Sequence, residues 1–170
     1  MLLTSSCVVA DPPEYRDPVQ SRPVLDVYHA DPPALQLIVA EKNSPSPIKI
    51  SVPVRSEDAG EDLQANTYLD FNLPSQQVLN LQTIPASTYD NEGRTVNVDF
   101  SVTGATEKGC HLLSIVVAHR DTFQLLQIDR LDPKKADTDA AIINWWVNVD
   151  PDPGQERSLI NCPSTDVPKP

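Results

Sequence analysis

The residues best suited to acid–base or metal chemistry in this chain are three histidines, His29, His111 and His119. His111 and His119 bracket an apolar run, so a single strand would carry both. Their even spacing puts them on one face of that strand, but at ~3.3 Å per residue they stand roughly 26 Å apart. One metal ion cannot bridge that distance. Both are expected at strand ends, facing water, and His29 sits in an N-terminal segment where it completes no site.

Carboxylates cluster in turn-like stretches: Glu57-Asp58, Glu61-Asp62, Asp137-Thr138-Asp139 and Asp150-Pro151-Asp152-Pro153-Gly154. Calcium favours oxygen-rich loops, but none of these has the spacing of a calcium loop. Each reads as a solvated turn, so no metal and no cofactor are expected. A carboxylate pair for glycoside hydrolysis could stand among them without any sequence signature. A small hydrolase with unidentified carboxylates is therefore one alternative reading. There is no glycine-rich phosphate loop, no G-x-S-x-G elbow and no C-x-x-C pair. His119-Arg120-Asp121 copies the protein-kinase catalytic triplet, yet Leu126 replaces the asparagine that family needs. No catalytic residue is assigned, and the chain is expected not to be an enzyme.

The cysteines are more informative. There are three, at positions 7, 110 and 162. Cys110 precedes the apolar run and Cys162 lies in a proline-rich tail. A bond between them would pin that tail to the folded domain, worth roughly 4 kcal/mol in the chain-entropy model. An even pair in an acidic, loop-rich chain suits an oxidising compartment. Cys7 is then left over.

The stretch Leu3-Thr4-Ser5-Ser6-Cys7 resembles the lipobox of bacterial lipoproteins. In that family small residues precede a cysteine that is diacylated and becomes the mature N-terminus. Ser5 and Ser6 fit the small positions, while Thr4 stands where the family prefers leucine. Only Met1, Leu2 and Leu3 represent an apolar region that should hold about 7–15 residues, and no basic segment precedes them. A lipoprotein reading therefore needs an upstream extension of the reading frame. The resemblance implies lipidation at Cys7, a membrane partner held through the lipid anchor, and a location in the bacterial cell envelope. Val8 after the cysteine implies the outer membrane, because an aspartate there often marks inner-membrane retention in that family.

The elements that would carry these residues alternate with period two. Val96, Val98, Phe100 and Val102 are apolar between polar neighbours, as are Ile48, Ile50, Val52 and Val54. Pro53 lacks an N–H, which favours a sheet edge. Leu69, Phe71 and Leu73 predict a further strand, Leu35, Leu37 and Val39 another, and Leu79 and Leu81 a weaker one. Leu112–Ala118 is apolar on both faces apart from Ser114, which predicts a central strand. Ile142–Val149 places Ile143, Trp145, Val147 and Val149 on one face. The opposite face carries Asn144, Trp146 and Asn148. Trp146 is expected either under the N-terminal segment or Phe123–Leu131, or exposed as an anchor for a protein partner or a sugar ring. An adhesin-like or carbohydrate-binding module is thus the other alternative reading.

About seven short strands in ~115 residues predict an all-β chain that resembles an immunoglobulin-like or other Greek-key β-sandwich. The inter-sheet disulfide and Tyr-x-Cys corner of antibody domains are missing, which leaves the strand order open. Of 17 prolines, six lie in residues 1–34 and five in residues 150–170. The expected organisation is a residual signal at 1–7, a proline-rich tether at 8–33, a sandwich at 34–150, and a C-terminal tail at 151–170. Hydrophobic residues are 39% of the chain and aromatics 5%, enough for a core built mainly from Val, Leu and Ile. The net charge of −11 opposes nucleic-acid binding. A non-catalytic envelope lipoprotein with a structural or protein-binding role, and an envelope protein as its partner, is the reading these features favour.

Overall fold

The computed structural model describes residues 21–58, 60–86, 94–103, 106–124, 127–131, 139–159 and 162. Cys7 and most of the expected tether lie outside them. The strands are β1 (Val24–Leu25), β2 (Ile38–Ala40), β3 (Ile48–Arg55), β4 (Leu63–Leu69) and β5 (Gln77–Ile84). They continue as β6 (Arg94–Phe100), β7 (Gly109–His119), β8 (Phe123–Gln124), β9 (Gln127–Leu131) and β10 (Ala141–Val149).

Two sheets face each other. One has the order β1-β3-β6 and the other β2-β10-β7-β4-β5. The chain changes sheet between β3 and β4 and again between β6 and β7. It thereby pairs β3 with β6 and β4 with β7, both antiparallel. This is the Greek-key crossing of an immunoglobulin-like sandwich. The parallel pair β2–β10 extends the larger sheet at one edge.

The period-two residues build the core. Ile50, Val52 and Val54 of β3 and Val96, Val98 and Phe100 of β6 face Leu113, Ile115 and Val117 of β7. Ile143, Trp145, Val147 and Val149 of β10 complete it. β7 is the middle strand of its sheet, as its two apolar faces require. Gly109 enters it at φ +131°, a conformation that side chains with a Cβ resist.

Several sequence expectations are corrected. Leu69–Leu73 is not a strand. Strand β4 ends at Leu69, because Asp70 (φ +56°) and Asn72 (φ +61°) take the left-handed conformation that Asp and Asn tolerate best. The strand that precedes this turn, Leu63-Gln-Ala-Asn-Thr-Tyr-Leu69, is buried on both faces and has no alternating pattern to betray it. Near Val39 the buried face is Ile38 and Ala40, whereas Leu35 is fully exposed before the strand begins. In β5 the register shifts opposite Thr67/Tyr68, a bulge that turns Leu79 toward the core and leaves Leu81 outside.

The tether expected over 8–33 is shorter. β1 pairs with Arg55 and Val54, Asp31 exchanges backbone hydrogen bonds with Ser51, and Ala30 is buried in the core. Pro53 is therefore not on an edge strand, since β3 lies between β1 and β6. Its carbonyl accepts the Asp26 N–H, and its missing N–H faces the turn after β1, where no ladder bond is lost. The indole N–H of Trp145 donates to the Pro32 carbonyl at 3.0 Å, so the segment also satisfies the one polar atom of the largest core side chain.

Candidate functional site

The chain from the end of β7 to the start of β10 (residues 120–140) makes a long excursion, including the β8–β9 pair. Phe123 from this excursion packs on Tyr68, Phe71, Val116, Ala118 and Ala140, on the outer face of the larger sheet. Beneath it, β4 carries a buried polar ladder. Thr83 Oγ1 donates to Gln64, Gln64 to Asn66, and Asn66 Nδ2 to the Tyr68 hydroxyl. That ladder is affordable under cover only because each amide finds a partner.

Both ends of β7 are closed by a histidine–aspartate pair, which corrects the expectation of water-facing histidines. At the first end His111 Nδ1 lies 2.8 Å from Asp70 Oδ2, and Nε2 lies 2.9 Å from the Glu107 carbonyl. Asp70 Oδ1 also accepts the Leu112 N–H at 3.0 Å, and Ser75 donates to Oδ2. The hydrogen bond to Asp70 raises the His111 pKa against the opposing effect of burial. Burial pushes Asp70 up, but the bonds from His111, Leu112 and Ser75 outweigh it and hold the carboxyl below its ordinary value.

This pair sets a pH window. The raised His111 pKa adds stability below 6.5 that is lost as pH climbs through the folded value. The depressed Asp70 pKa adds stability above 3.8 that is lost as pH falls through its folded value. His111→Gln should therefore cost more unfolding free energy at pH values between these limits than well above pH 6.5. Urea unfolding of both forms across that range measures it. An equal cost at every pH would show that the pair does not titrate in this way.

At the other end His119 is only 1% exposed. Its Nδ1 lies 2.6 Å from Asp139 Oδ1, and its backbone N–H donates to Asp139 Oδ2 at 2.9 Å. The Thr122 hydroxyl also donates to Asp139 Oδ2. Nε2 faces Asp58 Oδ2 at 3.4 Å and Glu61 Oε2 at 3.9 Å, within ion-pair range but without a hydrogen bond. Asp58 and Glu61 belong to the loop between β3 and β4. The same loop is tied by Arg94, which donates to the Glu61 carbonyl at 2.8 Å and the Asp58 carbonyl at 3.4 Å. Ser21 donates both its N–H and its hydroxyl to Asp58 Oδ2. The acidic stretches at 57–62 and 139 are thus not all solvated turns. Strand geometry could not reveal this, because the partners are up to 61 residues apart in sequence (119 − 58 = 61). Nε2 meets carboxylates rather than a hydroxyl or thiol, so the cluster is a clamp between two loops and not a nucleophile–base pair. Among the described residues no group of three or more His, Cys, Asp or Glu side chains is arranged to hold a metal ion.

The third histidine, His29, is exposed and lies 2.9 Å from Asp26. Its hydrogen bond holds the Asp26 carboxyl below its ordinary value.

Of the other residues singled out in the sequence, Cys110 and Cys162 are joined, with Cα atoms 4.7 Å apart. Asn148 pairs with Cys110 across the sheet. It is buried rather than offered as a binding surface, because its amide donates to the carbonyls of Gln155, Glu156 and Ser158 at 3.1, 3.4 and 3.3 Å. The C-terminal segment is therefore strapped over this corner by one covalent bond and one converging amide. Lys108 adds a 2.6 Å ion pair with Asp152 at the surface. Trp146, one row further along, is half-buried, and Asn144 beyond it is exposed. The N-terminal segment serves Trp145 and not Trp146.

No protein-family model matches the chain, and no curated protein matches it. Similar solved structures include the CARDB domain of a Pyrococcus furiosus protein in complex with di-metal ions, with 12% identity and a TM-score of 0.40. That match covers 82% of this chain and 99% of the other. A complex of zinc 2-glycoprotein and prolactin-inducible protein from human seminal plasma matches at 17% identity and TM-score 0.37, covering 66% and 87%. The apo form of the Calx CBD1 domain matches at 8% identity and TM-score 0.33, covering 77% and 100%. Likenesses of this degree carry no argument about ligand or activity.

Proposed function

We propose that this chain is a non-catalytic domain of a bacterial cell-envelope lipoprotein, anchored through Cys7 and serving a structural or protein-binding role. The observation that carries the reading is the Cys110–Cys162 bond. It supports an oxidising compartment, and it leaves Cys7 as the odd cysteine in a lipobox-like setting. The residues between Cys7 and Ser21 span about 40 Å if fully extended, enough to hold the sandwich clear of a bilayer surface. Acyl chains contribute ~0.8 kcal/mol per buried CH₂, so attachment does not depend on basic residues that this acidic chain lacks. By the same resemblance, Val8 directs the protein to the outer membrane.

Expression from the complete upstream reading frame in a bacterial host tests this. Wild type is expected to partition into detergent and to gain the mass of its acyl chains. Cys7→Ser is expected to stay an unprocessed precursor. Two soluble forms differing only by the substitution would remove the anchor from the proposal.

A second reading has its own observation. Trp146 is half-buried beside exposed Asn144, and Ile142 and Val39 are exposed on the same face of β10 and β2. An aromatic platform flanked by an amide suits a sugar ring. Glycan-array binding that Trp146→Ala abolishes would favour this adhesin-like role.

A further inference from the structure

The longest run of the chain without a charged side chain is Phe71–Tyr89. Strand β5 lies inside it and forms an edge of the five-stranded sheet. Edge strands are commonly guarded by charges or by a proline within the strand. β5 has neither between Gln77 and Ile84, and Pro74 and Pro85 fall outside it. β4 occupies one side of β5, and the other side faces no strand among the described residues. From Asn80 to Ile84 the pairing with β4 is regular, so this edge is straight enough to accept another strand. The bulge before it places Val78 and Leu81 on the same outer face, opposite Tyr68 and Asn66. They are 40% and 42% exposed.

We infer that β5 is a self-association edge, pairing antiparallel with β5 of a second copy of this chain across a two-fold axis. An antiparallel pair of identical strands is self-complementary, as an isologous contact must be. A two-fold axis perpendicular to the sheet keeps each outer face on the same side. Val78 and Leu81 of both copies then meet in one apolar cluster. Charge argues for a second copy at this place. Each chain carries a net −11, so like charges oppose most approaches between copies. Along β5 there is no charge to oppose.

The test uses the full chain with Cys7→Ser, so that a disulfide through that thiol is not mistaken for strand pairing. Light scattering with size exclusion from about 1 to about 200 µM, a range suited to a small interface, should show a dimer forming at the upper end. Leu81→Lys and Val78→Lys each place two like charges across the axis. Each should raise the dimer dissociation constant roughly tenfold or more. Both sites are exposed, so melting curves should stay close to the parent and show that the fold is intact. Amide exchange in β5 should slow as concentration rises. A monomer throughout the range would overturn the inference, including the case in which a foreign strand is the true partner. A dimer that both lysine variants leave intact would overturn it equally.

Discussion

His119→Ala should lower the free energy of unfolding by about 3–5 kcal/mol, the usual cost of breaking a buried pair by removing one partner. The ring is enclosed, and Asp139 would keep only the His119 backbone N–H and the Thr122 hydroxyl. Asp58 and Glu61 would lose the group that draws the β3–β4 loop toward β7. Asp139→Asn should cost a similar amount, and the double variant little more than either, because the two act as one unit. Glu61→Gln should cost less than about 1 kcal/mol, since that side chain is half-exposed. Urea unfolding of the four variants decides it. A loss below about 1 kcal/mol for His119→Ala would show that the loops hold their places without the clamp.

The second large effect concerns the C-terminal strap. Replacing Cys110 and Cys162 together with serine should remove about 4 kcal/mol, the chain-entropy value for a bond spanning 52 residues. The loss is expected to act largely through the unfolded state, which regains the freedom of that closed loop. In the folded state Asn148 would still reach the carbonyls of Gln155, Glu156 and Ser158, so the strap should loosen rather than leave. Proteolysis after Ser158 should become faster than in the parent. Alkylation of the parent, denatured without reductant, should label one cysteine per chain, Cys7. Labelling of three would mean that the bond does not form.

The sandwich was legible because its inner strands alternate. Val96, Val98 and Phe100 announce one buried face, and β3 and β10 do the same, since a strand turns alternate side chains to opposite sides. The apolar run 112–118 announced the middle strand for the complementary reason. β4 was illegible because its outer face, Gln64-Asn66-Tyr68, is polar yet buried, and only the excursion carrying Phe123 makes it so. The bulge in β5 was invisible for a similar reason, since it is a property of the pairing with β4 and not of Leu79 or Leu81 themselves.

What the sequence by itself determined was an all-β sandwich with Trp145 in its core and a Cys110–Cys162 bond. Periodicity and cysteine parity are local or countable properties, and they survive without knowledge of neighbours. Only the tertiary structure decided the fate of the histidines. Spacing placed His111 and His119 at opposite ends of one strand, and there it expected water. Loops from distant parts of the chain bring Asp70 to one and Asp139, Asp58 and Glu61 to the other. A side chain's polarity says that it needs a partner, but chain connectivity does not say whether that partner is water or a carboxylate many residues away.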